Sequence, residues 1–293
     1  MKVLVCGAHG FIGRHVVDAL QAAGHAVVRG MSRPSSADDV AMDFSRDVSP
    51  ADWLPRLQGV EVVVNAVGVL RDTRRRPMQA VHVEAPRALF EACTRTAVRR
   101  LIHVSALGID GNPTLYARTK REGENAALAC HAPGRLAVAV LRPSIVFGPG
   151  GESSALFLNL ARLPWLPLPR PALQTRVQPV HVRELALAVA RLADADLALN
   201  GRLDCAGPEP VSLAGFIASL RMQLGHRPPG MLGLPHWLTR LSAQVGDRIP
   251  LTPWGSEALA LLTQDNVGDP GAMTQLLGRS PTRYGELLAL GRP

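Results

Sequence analysis

Two groups of residues in this chain have types and spacings suited to chemistry. The first is Gly7-Ala8-His9-Gly10-Phe11-Ile12-Gly13, directly after the apolar run Lys2 to Cys6. Glycines at a strand-to-helix turn let the main chain approach a pyrophosphate, and the helix start adds free amides and a positive dipole end. The spacing is GxxGxxG, without the lysine of a P-loop. The second is Tyr116-Ala-Arg-Thr-Lys120, preceded by Ser105 at the end of an apolar run. An i,i+4 pair shares one helix face, so the ammonium can stand beside the phenol. A neighbouring cation favours phenolate, which would bring a group titrating near pH ~10 into use as a general acid or base. Ser105 is then placed to hold the substrate oxygen. The chain has 30 arginines but two lysines, Lys2 and Lys120, and two tyrosines, Tyr116 and Tyr284. A lysine kept at this one spacing is a departure from that composition.

The second apolar run ends in Arg29-Gly30-Met31-Ser32-Arg33, with no carboxylate before Asp38. A free ribose 2′-hydroxyl is usually met by an acidic residue there, whereas arginine suits a 2′-phosphate. NADP(H) is therefore predicted over NAD(H). Asp43 is expected to face the adenine, and Asn65, Ala66 and Gly68 to border the ribose.

The elements that must position these residues read as alternating strands and helices. Strands are predicted over 2–6, 26–31, near 40–44, 61–67, 101–107 and 136–146. Helices are predicted over 11–23, 78–96 and 114–130. Continuous apolar strands alternating with amphipathic helices mean a parallel sheet covered on both faces. The expected fold class is α/β, a doubly wound parallel sheet of Rossmann type with a small mixed C-terminal substrate lobe. Residues 1–150 form the nucleotide-binding domain and 151–293 the smaller lobe, with part of 176–206 (strands at 177–182 and 201–207) returning to the sheet. The prolines at 164, 167, 169 and 171 are too many for one helix, and Phe157, Leu160, Trp165 and Leu168 are expected in the lobe core.

At 293 residues, 47% apolar and 19% charged, the chain can build a large packed core. No apolar stretch is long enough for a membrane span. The run starting at Val3 leaves no room for a leader peptide, so a cytoplasmic location is expected. Cys6, Cys93, Cys130 and Cys205 form no CxxC pair and read as small core residues. A net charge of +8 spread over the chain, with few aromatics, argues against nucleic acid and for an anionic ligand or acidic partner. The histidines show no metal spacing. Arg74-Arg75-Arg76 is either a solvated loop or a guard of the nucleotide cleft.

These segments resemble the short-chain dehydrogenase/reductase superfamily in its extended or atypical, epimerase/dehydratase-like branch, over essentially the whole chain. GAHGFIG is similar to its cofactor loop, NAVG to the motif after its fourth strand, and LRPSIVFGPG to its sixth strand and substrate loop. More narrowly, HVSALGID, YARTKREGE, FLNLARLP, QPVHVRELA and QDNV…LLGRSPT resemble the group around the 39-kDa subunit of respiratory complex I. The resemblance implies that Gly7, Gly10, Phe11, Ile12 and Gly13 hold a pyrophosphate and that Ser32 and Arg33 meet the 2′-phosphate. It implies Ser105, Tyr116 and Lys120 as the catalytic trio, Lys120 also binding the nicotinamide ribose, with Pro143 and Val146 bordering the nicotinamide. His82 stands where many members have an asparagine completing a proton relay, and Glu184 where an aspartate is usual. Two functions follow: an oxidoreductase acting on a small hydrophobic carbonyl compound, or a redox-silent NADPH-binding subunit or assembly factor. The second implies peripheral association with a membrane complex, at the inner face of the membrane.

Overall fold

The computed structural model describes residues 1–36, 39–194, 199–249, 255–262 and 264–290, so Asp38 lies outside the described residues. Along the chain run β1 (Lys2–Cys6), α1 (Phe11–Ala22), β2 (Ala26–Met31), β3 (Asp39–Ala41), α2 (Pro50–Trp53), β4 (Val62–Asn65), α3 (Ala85–Thr94), β5 (Arg100–Val104), α4 (Leu115–Ala129) and β6 (Ala137–Pro143). There follow β7 (Val146–Phe147), α5 (Glu152–Ala161), β8 (Trp165–Pro169), β9 (Arg176–Val177), β10 (Val180–His181), α6 (Val182–Ala193) and β11 (Gly201–Cys205). The rest comprises β12 (Val211–Ser212), α7 (Leu213–Gln223), β13 (Gly230–Leu234), α8 (His236–Arg248), α9 (Ser256–Leu261), α10 (Gly271–Leu277) and α11 (Leu287–Leu290).

Seven parallel strands form the central sheet in the order β11-β6-β5-β4-β1-β2-β3. The alternation of side chains explains the unbroken apolar runs. Val3, Val5, Val62, Val64 and Ile102 face one layer, packed with α1 and α6. Leu4, Cys6, Val63 and Leu101 face the other, packed with α3. Both faces are thus covered, as a buried parallel sheet requires. Strand order reverses between β1 and β4, which pair with Cys6 opposite Asn65. A ligand crevice opens at such a switch point, beyond the carboxyl ends of the strands.

A third apolar cluster holds Phe147, Leu166, Leu168, Val177, Phe216, Ile217 and Leu287, with Phe157 and Leu160 packed against it. Trp165 is the exception to the expected lobe core: it is 64% exposed. The strand expected at 177–182 is two short pieces. Pro179 has no N–H to donate, so β9 pairs antiparallel with β12 while β10 pairs parallel with β7. The other late strand, β11, joins the central sheet beside β6. Nor is the helix of 78–96 uniform, because Ala80–Glu84 forms a π turn before α3. No helix of the described residues is long and apolar enough to cross a membrane.

Candidate active site

The glycine loop is a close-packed turn. Gly7 has φ +80°, and its N–H donates to Gly30 O at 2.9 Å while Gly10 N–H donates to Gly7 O at 2.8 Å. A Cβ on Gly13 would stand 2.0 Å from Gly7 O. Helix α1 therefore lies against the loop as no other residue type would allow. Gly10 begins that helix without a side-chain cap, leaving its first amides facing outward from the end of β1. Phe11 touches the loop 148–151, where a Cβ on Gly151 would be 2.8 Å from its ring. Ile12 packs against the core beneath the sheet.

A cavity of about 470 Å³ opens at the switch point and is lined by Gly7, Gly10, Ser32, Arg33, Asp43, Ala66 and Gly68, all singled out from the sequence. Met31, Met42, Phe44, Ser45 and Arg76 complete much of its wall. Of the arginine triplet, all three are exposed and Arg76 alone borders this cavity. Arg29 is engaged elsewhere, paired with Asp39 (Nε to Oδ1, 2.8 Å) and bonded to Ser36 Oγ at 2.6 Å. Arg33 is exposed and has no ion pair among the described residues. Asp43 accepts from Ser45 N–H (2.9 Å) and Oγ–H (2.6 Å), which hold its carboxyl below the usual range. Asn65 is buried behind the wall. Its Oδ1 accepts from Val67 N–H at 3.1 Å, and its Nδ2 meets His103 Nδ1 at 3.2 Å.

The predicted trio sits on the loop after β5 (Ser105) and on α4 (Tyr116 and Lys120), and does not line that cavity. Thr114 caps α4 by accepting from Ala117 N–H at 3.2 Å, which starts the helix at Leu115, immediately before Tyr116. Lys120 is 5% exposed and donates from Nζ to Val104 O at 3.2 Å. A Cβ on Gly68 would be 3.1 Å from that Nζ, so the ammonium lies beside the loop after β4. Burial pulls Lys120 down to about 8, opposed by the Glu124 carboxylate. The expected lowering of Tyr116 does not occur, because burial pushes the phenol up to about 12. Ser105 Oγ is buried without a hydrogen-bond partner among the described residues. Pro143 is buried at the end of β6, and its carbonyl accepts from Leu107 N–H at 2.9 Å. Val146 packs on the core from β7.

His82 links the loop after β4 to α4. Its Nε2 accepts from Val69 N–H at 3.0 Å and its Nδ1 meets Thr119 Oγ1 at 2.9 Å. Its ring stands edge-on to Tyr116 with centroids 5.7 Å apart. Burial, then Lys120, pushes it down to about 2, so it is neutral. A Cβ on Gly123 would be 2.3 Å from His82 O, so the π turn packs directly on α4. Such turns recur at functional sites.

The chain matches the NAD dependent epimerase/dehydratase family over residues 3–199. It belongs to that family. Ceramide reductase of Caulobacter vibrioides is 34% identical over 192 residues, 63% of this chain and 58% of that relative, whose length the match therefore spans only in part. The mitochondrial NADH dehydrogenase (ubiquinone) 1 alpha subcomplex subunit 9 of Rattus norvegicus is 26% identical over 262 residues, 85% of this chain and 68% of that protein. This relative bears out the resemblance to the complex I subunit group. The NADPH-dependent quinone oxidoreductase of Escherichia coli, solved with NADPH, shares the fold at a TM-score of 0.75 and 17% identity, covering 99% of each chain.

Two features of this epimerase/dehydratase chain were not legible as site residues. Glu184 is buried and does not line that cavity; it accepts from Thr282 N–H (3.1 Å) and Oγ–H (2.9 Å) and pairs with Arg279 at 2.7 Å. The longer side chain ties α6 to the C-terminal segment. His181, fully buried, caps α6 by accepting from Arg183 N–H at Nδ1 (3.2 Å). Burial, then Arg183 and His15, pull it down to about 4. The unfolded chain binds a proton there below about pH 6.5 and the folded one does not. Stability should therefore fall from about pH 6.5 toward 4, by about 1.4 kcal/mol per pH unit for this group. His181→Asn keeps a cap acceptor and should flatten that slope in urea unfolding at pH 7 and 5. Equal slopes in both proteins would refute the assignment.

Proposed function

We propose that this chain is an NADP(H)-binding oxidoreductase moving a hydride to or from a carbonyl or alcohol carbon, with Tyr116 as its acid/base. The observation that carries this reading is the polar floor beyond β4 and β5. An ammonium has three N–H donors, yet buried Lys120 donates to one carbonyl, and the buried Ser105 hydroxyl bonds to nothing among the described residues. Buried polar groups are expensive unless paired, and a ligand supplies the missing partners.

The residues present fit a dinucleotide. The Gly7–Gly13 cradle would be filled by any Cβ, and the uncapped first turn of α1 offers amides from Phe11, Ile12 and Gly13 to a pyrophosphate. Ser32 and Arg33 would meet a 2′-phosphate, with Arg76 across the same cavity. Asp43 would face the adenine and Ala66 and Gly68 the ribose, with Asn65 behind the wall holding the Val67 amide in place. Lys120 would hold the nicotinamide ribose, bordered by Pro143 and Val146. The bound nicotinamide supplies or accepts the hydride. Tyr116, protonated at neutral pH, donates to the carbonyl oxygen as it gains charge, and Ser105 bonds the same oxygen. The likeness to ceramide reductase supports an apolar carbonyl substrate.

Titration of NADPH and NADH, followed by the fluorescence of the reduced nicotinamide, tests the reading. Arg33→Ser should weaken NADPH binding by about 10- to 100-fold, the worth of a charged hydrogen bond, and leave NADH nearly unchanged. Equal losses for both would remove Arg33 as the phosphate reader, and no binding of either would remove the nucleotide. A second reading, a redox-silent nucleotide-binding subunit of a complex I-type assembly, is supported by the likeness to subunit 9. It requires NADPH that arrives bound and does not exchange.

A further inference from the structure

The exposed large apolar residues are not scattered over the surface. Of twelve among the described residues, six lie between 231 and 249. Met231 and Leu232 belong to β13, and Trp237, Leu241, Val245 and Ile249 follow at steps of four along α8 and its end. That spacing places the four on one side of a helix. Helix α8 is inverted relative to an ordinary surface helix, whose large apolar residues face the core. Its buried residues are the small Thr239, Ala243 and Gly246, while Trp237 is 67% and Leu241 51% exposed. The outward stripe does not hold the fold together.

The charge of the same segment is one-sided. Residues 226–249 contain Arg227, Arg240 and Arg248 against one carboxylate, Asp247. That carboxylate accepts from Ser256 N–H at 2.9 Å and Oγ–H at 2.6 Å. An outward apolar stripe carrying tryptophan, with arginines beside it, suits the headgroup layer of an anionic bilayer. The helix is also tied to the cleft. Arg71, just beyond Gly68, donates to Ile249 O (2.9 Å) and Gly246 O (3.0 Å). From α9, Glu257 accepts from Leu115 N–H (3.3 Å) and Tyr116 N–H (3.5 Å).

We propose that α8 is a bilayer-docking helix whose Trp237, Leu241, Val245 and Ile249 enter the headgroup layer while Arg240 and Arg248 meet lipid phosphates. Docking through it holds the Tyr116 end of the molecule at the membrane surface, whatever nucleotide is bound.

Sedimentation of the full chain with vesicles decides the matter. It should bind vesicles of equal parts phosphatidylglycerol and phosphatidylcholine, bind phosphatidylcholine alone more weakly, and lose the difference in high salt. Trp237→Gln with Leu241→Gln should lower binding to the anionic vesicles by about tenfold or more. Arg240→Gln with Arg248→Gln should abolish the preference for them. Because these side chains are exposed, both variants should keep the wild-type melting temperature and NADPH affinity, which separates loss of docking from misfolding. The proposal is overturned if the wild type sediments with neither vesicle, or if both variants bind like it. It is equally overturned if the apolar variant instead converts a dimer to a monomer in equilibrium sedimentation, because a second copy would then cover this face.

Discussion

Replacing Tyr116 with phenylalanine is expected to lower turnover by roughly 10²- to 10⁴-fold, the usual worth of a positioned general acid, while nucleotide affinity stays at the wild-type value. The ring remains to meet His82 edge-on, and the helix is still capped by Thr114, so the variant should fold normally. Only the O–H is lost. With the phenol pushed up to about 12, it is a proton donor at every physiological pH, which favours the reductive direction. A panel of apolar aldehydes and ketones with NADPH provides the assay. Turnover that survives the substitution intact would sink the assignment of Tyr116. Absence of turnover in the wild type, together with NADPH that does not exchange, would favour the redox-silent reading.

The second large effect concerns stability. Glu124 is fully buried on α4 and accepts from Arg142 Nε (2.8 Å) and Nη2 (2.5 Å), and from Arg202 Nε (3.1 Å). Arg142 also reaches Asp110 at 2.7 and 3.2 Å. Glu124→Ala would leave a largely buried guanidinium with only a surface carboxylate for company. The cost is about 3–5 kcal/mol in urea unfolding, the range for breaking one side of a buried pair. Replacing Glu124 and Arg142 together, by leucine and methionine, should recover much of it, since two apolar groups leave no stranded charge. Glu124 also stands one turn from Lys120 and holds that ammonium up, so the single variant should move Lys120 further below about 8. A loss of stability under about 1 kcal/mol would show that the network is not required.

Much of the fold was legible because buried parallel strands are written as unbroken apolar runs. Val62 to Val64 and Leu101 to Ile102 declare themselves without any partner being known. The glycine loop was legible because its spacing has few other uses between a strand and a helix. Other features depend on packing that composition does not encode. Arg142 and Glu124 stand on different elements, 18 residues apart, and meet only when α4 lies on β6. A π turn adds one residue to a helical turn, which leaves the apolar period of 78–96 within its normal scatter. The Tyr116–Lys120 spacing correctly indicated one helix face, but the titration of the phenol follows its burial, and the ammonium turns to Val104 O. Trp165 looked like core because tryptophan usually is, whereas here its ring lies over Gly230 at the surface.

The link through His82 has a polarity. Val69 N–H can only donate, so His82 Nε2 accepts, Nδ1 carries the proton and gives it to Thr119 Oγ1, and that hydroxyl donates to Leu115 O at 2.9 Å. Every proton along this chain points the same way, and its last member is a peptide carbonyl with nothing to hand on. A relay must be able to reverse, each member releasing one proton as it takes another. This one is locked at the amide end and closed at the carbonyl end. On the proposed mechanism, a Tyr116 that has given up its proton is therefore reset from outside this chain of bonds, by the Lys120 ammonium or by water admitted when product leaves.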